Sequence, residues 1–210
     1  MNFAELKREL AGIVLDQSPA IIVSFPDYIN EAVQQIAEEI RFPELKQVIS
    51  VATSTSVYYT NLPSTFSGKL TYAGNSDGEY TVLEGGVEEL LRLYPTLTEV
   101  GDVQYIVCEG GLLMYQPIPA TSVNIICVGY RVPDLLEADT DTPSFIPDFL
   151  HRESIVNKAA SLAYLSIEDG AEGERVNFGI FASLAEVGIN KIRAYVSRRR
   201  AINQTKSWSV

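Results

Sequence analysis

Pro26-Asp27-Tyr28-Ile29-Asn30-Glu31-Ala32-Val33-Gln34-Gln35-Ile36-Ala37-Glu38-Glu39-Ile40 sets Ile29, Ala32, Val33, Ile36, Ala37 and Ile40 on one stripe. That is the period of an amphipathic helix. Its apolar stripe needs a partner surface, because a helix of this length is marginal alone in water. Upstream, Asn2 caps a first helix reaching about Leu15, with Phe3, Leu6, Leu10, Ile13 and Val14 facing inward until Ser18-Pro19 breaks it. Pro26 suits the first turn of the second helix, and Pro43 ends it. More partners lie far downstream. Pro147 opens a third helix, Ala-rich around Ala159, Ala160 and Ala163, that ends near Gly170. A fourth runs from about Glu174 to Arg199 and repeats Phe181, Leu184, Ile192 and Tyr195. Small residues on these two helices, with Ala182, Ala185 and Gly188 on the fourth, permit close approach of helix to helix.

Between the helical ends, the period changes from 3.6 to 2. Lys46 to Ala52, Ser56 to Leu62, Lys69 to Ala73, Glu79 to Leu83, Asp102 to Cys108, Leu112 to Tyr115 and Val123 to Val132 read as seven strands. Asn75-Ser76-Asp77-Gly78 is a hairpin signal, and Val87 to Tyr94 a short helix on the rim. Short strands with regular turns predict a small antiparallel sandwich or barrel. The expected fold is α+β: a four-helix bundle from residues 1–45 and 145–199, an inserted β domain at 47–133, an acidic connector at 134–144, and an extended C-terminal arm at 200–210.

Composition narrows the function. A hydrophobic content of 46% describes a folded chain. No apolar run approaches the roughly 18 residues of a membrane span, so no membrane partner is expected. Glu5, Lys7, Arg8 and Glu9 leave no room for a signal-peptide core. Cys108 and Cys127 sit in apolar strands and read as a buried, reduced pair, which implies synthesis inside a cell. The chain carries 16 basic and 27 acidic residues, for −11. Lys191, Arg193, Arg198, Arg199, Arg200 and Lys206 give residues 191–210 a charge of +6 with no acid, which leaves −17 on residues 1–190. An acidic body repels phosphate and disfavours non-specific nucleic-acid binding. The basic end either seeks an acidic surface or stabilises a helix C-terminus.

Catalytic patterns are sparse. Gly74-Asn75-Ser76-Asp77-Gly78 matches the spacing of a nucleophile elbow, but strands flank it on both sides where the elbow needs a following helix. His151, the one histidine, reads as solvated or interfacial beside Arg152 and Glu153. Two cysteines and one histidine fall short of a Cys/His zinc site. No catalytic residue, cofactor or metal is expected, and carboxylate counting alone leaves a glycan hydrolase as the enzymatic alternative.

Several motifs in order carry a resemblance. They are Ile29-Asn30-Glu31-Ala32 with Ile36-Ala37, then Tyr58-Tyr59-Thr60-Asn61-Leu62-Pro63, then Gly101-Asp102-Val103-Gln104-Tyr105. Gly110-Gly111-Leu112-Leu113-Met114-Tyr115-Gln116-Pro117-Ile118-Pro119, Val128-Gly129-Tyr130-Arg131-Val132-Pro133-Asp134-Leu135 and Ile146-Pro147-Asp148-Phe149-Leu150 follow. Together the sequence resembles the head-to-tail adaptor (head completion) proteins of tailed bacteriophages. It departs at Phe25-Pro26-Asp27, where that family often has Trp-Asp. The resemblance implies a structural virion protein at the head–tail interface, made in the host cytoplasm. Its partners would be the portal protein above, the tail or nozzle protein below, and itself in a ring of about twelve copies. DNA would pass through without sequence-specific contact. Another ring or stopper component of the same connector is the alternative, and a peptidoglycan-degrading activity a further one.

Two sets of residues are the candidate sites. Arg198, Arg199, Arg200, Ile202, Lys206, Trp208 and Val210 form an arm that would dock on portal, since the chain's only Trp is costly to leave in water. Glu38, Glu39, Asp139 and Asp141 are candidate channel-facing acids, with solubility as the plainer account of their charge.

Overall fold

In the computed structural model, which describes residues 1–16, 18–168 and 175–206, the chain divides into two compact units. One comprises Met1–Pro43 with Pro133–Val210, and the other Glu44–Val132.

The first unit is helical. α1 (Phe3–Ile13) opens with a capping box: Glu5 N–H donates to Asn2 Oδ1 and Asn2 N–H to Glu5 Oε2, each at 2.9 Å. Both satisfy backbone donors that a helix start leaves open. α1 buries Phe3, Leu6 and Leu10. Pro19 does more than break it, because with its φ set for a first turn it begins a short α2 (Pro19–Val23). None of the five α2 residues is buried. α3 (Phe25–Glu39) buries Ile29, Ala32, Val33 and Ile36 of the stripe read from the sequence, with Phe25 ahead of them; Ile40, at its C-cap, is buried too and Ala37 is half-buried. Beyond it Phe42 meets Phe145 edge to face at 4.9 Å.

Residues 134–144 are held by α1 and α3. Asn30 on α3 donates to Leu136 C=O at 3.1 Å and accepts from Leu136 N–H at 2.8 Å. Phe3 N–H donates to Asp141 C=O at 2.8 Å, and Lys7 pairs with Asp139 at 2.6 Å. The expected third helix begins irregularly, with a 3-10 turn at Asp148–Leu150 and a π turn at Arg152–Val156, before α5 (Asn157–Glu168). Ser154 donates to Leu150 C=O at 2.7 Å and Asn157 to Glu153 C=O at 3.0 Å, so side chains satisfy carbonyls in the irregular stretch. The last helix, α6, spans Val176–Lys206. Glu168 accepts from Asn177 and Phe178 N–H at 3.2 Å each, an anion at the positive end of α6. Among its described residues the unit thus holds five α-helices (α1, α2, α3, α5 and α6) where four were expected.

The second unit contains two sheets. β1 (Lys46–Ala52), β7 (Asn124–Arg131) and β3 (Phe66–Gly74) form one, in the order β1-β7-β3, all antiparallel. β2 (Tyr59–Asn61), β6 (Leu112–Gln116), β5 (Tyr105–Glu109) and β4 (Thr81–Val82) form the other, in the order β2-β6-β5-β4. Their core takes Val51, Ala73, Ile125 and Cys127 from the first sheet and Ile106, Leu113 and Tyr115 from the second, with Val103 beside them. The helix read from Val87 is α4 (Gly86–Leu93), which buries Leu90. Gly110 and Gly111, at φ 59° and 78°, make the two-residue turn between β5 and β6. Gly129 lies where a Cβ would strike the Phe66 ring, so glycine is required for that ring to cross β7.

Two expectations for this unit change. The sheets are not purely antiparallel, because β4 pairs with β5 in parallel. Asn75–Gly78 is a tight turn, with Asn75 Oδ1 accepting from Asp77 and Gly78 N–H, and the expected hairpin forms only beside it, where Gly74 bridges Glu79 antiparallel and Tyr80 N–H donates to Ala73 C=O at 2.8 Å. β3 stays in one sheet and β4 joins the other. The turn is where the chain changes sheets, a choice that local turn chemistry does not encode.

Candidate functional site

The candidate docking surface is α6 and the irregular turns against it. α6 buries Ala185, Ile189, Ile192 and Val196. Gly188 sits at the closest approach, where a Cβ would overlap the Glu153 carbonyl of the π turn. Of the repeat Phe181, Leu184, Ile192 and Tyr195, Ile192 is buried and Phe181 and Tyr195 are half-buried. Leu184 is exposed, because the buried line is centred about one residue further on. On the outer face Val176, Ile180, Leu184 and Val187 recur at helical spacing, each about half exposed. A second apolar line is the kind of surface that marks an interaction site. Phe181 stacks on Tyr164 at 5.4 Å.

The C-terminal half of α6 is cationic. Lys191 pairs with Glu153, and Arg193 with both Glu39 and Glu186. Arg199 lies over the Tyr195 ring at 5.6 Å, and Arg198 is exposed. Phe149 meets Tyr195 edge to face at 6.0 Å. Phe149, Leu150, Lys191, Ala194, Tyr195 and Arg198 line a hollow of about 270 Å³. Phe149 is 71% exposed, an unusual state for so large an apolar ring. The sequence reading missed this aromatic pair. Its signal was present in Pro147-Asp148-Phe149-Leu150, where Leu150 faces the core and Phe149 faces out.

The expected extended arm is also corrected. Helix continues through Arg200, Ile202 and Lys206, and so do Arg198 and Arg199 on the same element. Arg199-Arg200-Ala201-Ile202-Asn203-Gln204-Thr205-Lys206 holds no glycine or proline, so nothing stops propagation. Trp208 and Val210 lie outside the described residues.

Among the proposed channel acids, Glu39, Asp139 and Asp141 have partners within the helical unit. Glu39 pairs with Arg193, and Asp139 with Lys7. The Asp141 carboxylate accepts from Glu137 N–H at 2.9 Å and Ala138 N–H at 2.8 Å, which lowers its pKa. Glu38 is exposed on the last turn of α3. His151 is buried, contrary to the solvated reading. Its Nε2–H donates to Ile146 C=O at 2.8 Å, and Nδ1 accepts from the Met1 amine at 2.9 Å. Burial, first, and then the Met1 charge hold its pKa below the ordinary 6.5, against the opposing pull of the Ile146 carbonyl.

The β unit has its own hollow, of about 490 Å³, lined by Asp77, Glu79, Tyr80, Asp102 and Tyr105 among others. Burial raises the Tyr80 pKa, and the Asp77 and Asp102 charges add to it. Its lining includes no histidine or cysteine, and the Ser76 hydroxyl in the turn donates to the Asp77 carboxylate at 3.3 Å. Among the described residues no cluster of three or more His, Cys, Asp or Glu side chains is placed to hold a metal. No helix among them is long and apolar enough to cross a membrane.

No curated protein matches the sequence. A family model does, and it spans both units: residues 1–206 match the SU10 adaptor protein model. The chain belongs to the SU10 adaptor protein family.

Proposed function

We propose that the protein is a structural adaptor of a tailed-phage virion. It docks beneath the portal as a ring and carries the tail or nozzle, and DNA passes through the ring. The observation that carries the reading is α6. It is a 31-residue helix, and from Lys191 onward the chain has six cations and no acid. An acidic chain with one net-cationic stretch on a single helix has a built-in direction for meeting an acidic partner. The docking set keeps Arg199, Arg200, Ile202, Lys206, Trp208 and Val210, now as a helical stem followed by a short end. A negative channel lining rests on the −17 of residues 1–190, since Glu39, Asp139 and Asp141 already have partners within the helical unit. The reading gives the chain no catalytic role.

The test is binding to the purified portal protein of the same phage. Removal of residues 207–210, and separately Trp208→Ala, should leave the melting temperature unchanged and weaken portal binding about tenfold or more, as for an aromatic anchor. Full affinity in both variants would overturn the docking role of this end.

A further inference from the structure

The hollow beside Phe149 is lined by two aromatic rings, Phe149 and Tyr195, and two cations, Lys191 and Arg198. Lys191 is occupied by Glu153, whereas Arg198 makes no ion pair with a described residue. Such a hollow suits an aliphatic side chain flanked by carboxylates. The chain itself presents one. Leu135 is 53% exposed and stands between Asp134 and Glu137, while its neighbour Leu136 is buried. The two hydrogen bonds between the Asn30 side chain and the Leu136 backbone, one in each direction, fix this segment, so Leu135 is held outward on a rigid mount. A preorganised knob loses little entropy on docking.

We infer that the Phe149–Tyr195–Arg198 hollow receives the Leu135 segment of a second copy of this chain. The contact deepens the proposed ring and rests on it. It reassigns Arg198 from portal to the neighbouring copy. Charge favours this occupant: the hollow lies on the one basic stretch of a chain whose remaining 190 residues carry −17. Hollow and knob are different surfaces, and repeated in one direction their contact joins copies head to tail, the arrangement from which rings close.

Single-cysteine variants decide it. Leu135→Cys and Ala194→Cys proteins are mixed, with and without portal, and treated with a short bis-maleimide. Burial raises the native thiols, Cys108 to about 11 and Cys127 to about 12, which slows their reaction, and each variant alone reports any product they give. A cross-linked dimer in the mixture, absent from either variant alone and from a Thr71→Cys control mixture, is the expected result. Arg198→Glu in the Ala194→Cys partner should cut its yield about tenfold, and Glu137→Arg in the Leu135→Cys partner should restore it. Rings on portal without this dimer would overturn the contact and leave the adaptor role standing. Neither ring nor dimer would overturn both.

Discussion

His151 shows how burial sets a proton count. Its ring is enclosed, with one nitrogen against a carbonyl and the other against an amine, an arrangement that fits the neutral Nε2–H tautomer. Unfolding releases the ring to its ordinary pKa near 6.5. Below that value the unfolded chain binds a proton that the folded chain refuses, so stability falls with acid. The loss begins near pH 6.5 and continues down to the depressed folded value. Urea midpoints measured at pH 7.5 and 5.5 should show the decline. His151→Gln should flatten this part of it, at a cost of about 1–3 kcal/mol at pH 7.5 because a buried partner is left unsatisfied. An unchanged pH slope in the variant would remove His151 from the account.

At the scale of elements, α6 places two glycines in opposite situations. Gly188 lies against the Glu153 and Ser154 backbone, and Gly179 has open space around it. Gly188→Ala should therefore destabilise by about 1–3 kcal/mol through overpacking. Gly179→Ala should stabilise by up to about 1 kcal/mol from helix propensity alone. Equal effects in thermal melts would show that the α6 contact is looser than described. The helices and strands were largely legible in sequence because their periods are local. Lys46–Ala52 coincides with β1, and the stripe from Ile29 to Ile40 is the buried side of α3. What was hidden depends on tertiary choice. The sheet that β4 joins, the π turn and the burial of His151 are each decided by residues distant in sequence. The candidate site was half legible. Its cations stand in a plain run, but its hollow needs Phe149 and Tyr195, 46 positions apart, to meet.

For the whole molecule, the division into two units makes a direct prediction. Residues 44–132, expressed alone, should give a soluble fragment whose far-ultraviolet dichroism is that of β structure with one short helix, because both sheets and their shared core lie inside those limits. A helical or disordered spectrum would show that the unit depends on the rest of the chain. The pairing of β1 with β7 sets Lys46 opposite Tyr130, so the strands by which the chain enters and leaves this unit lie side by side. A module whose two ends meet is topologically a loop to the frame that carries it, and loops are where insertions are tolerated. The β unit is thus a cassette. Recombination at two neighbouring points would exchange it whole.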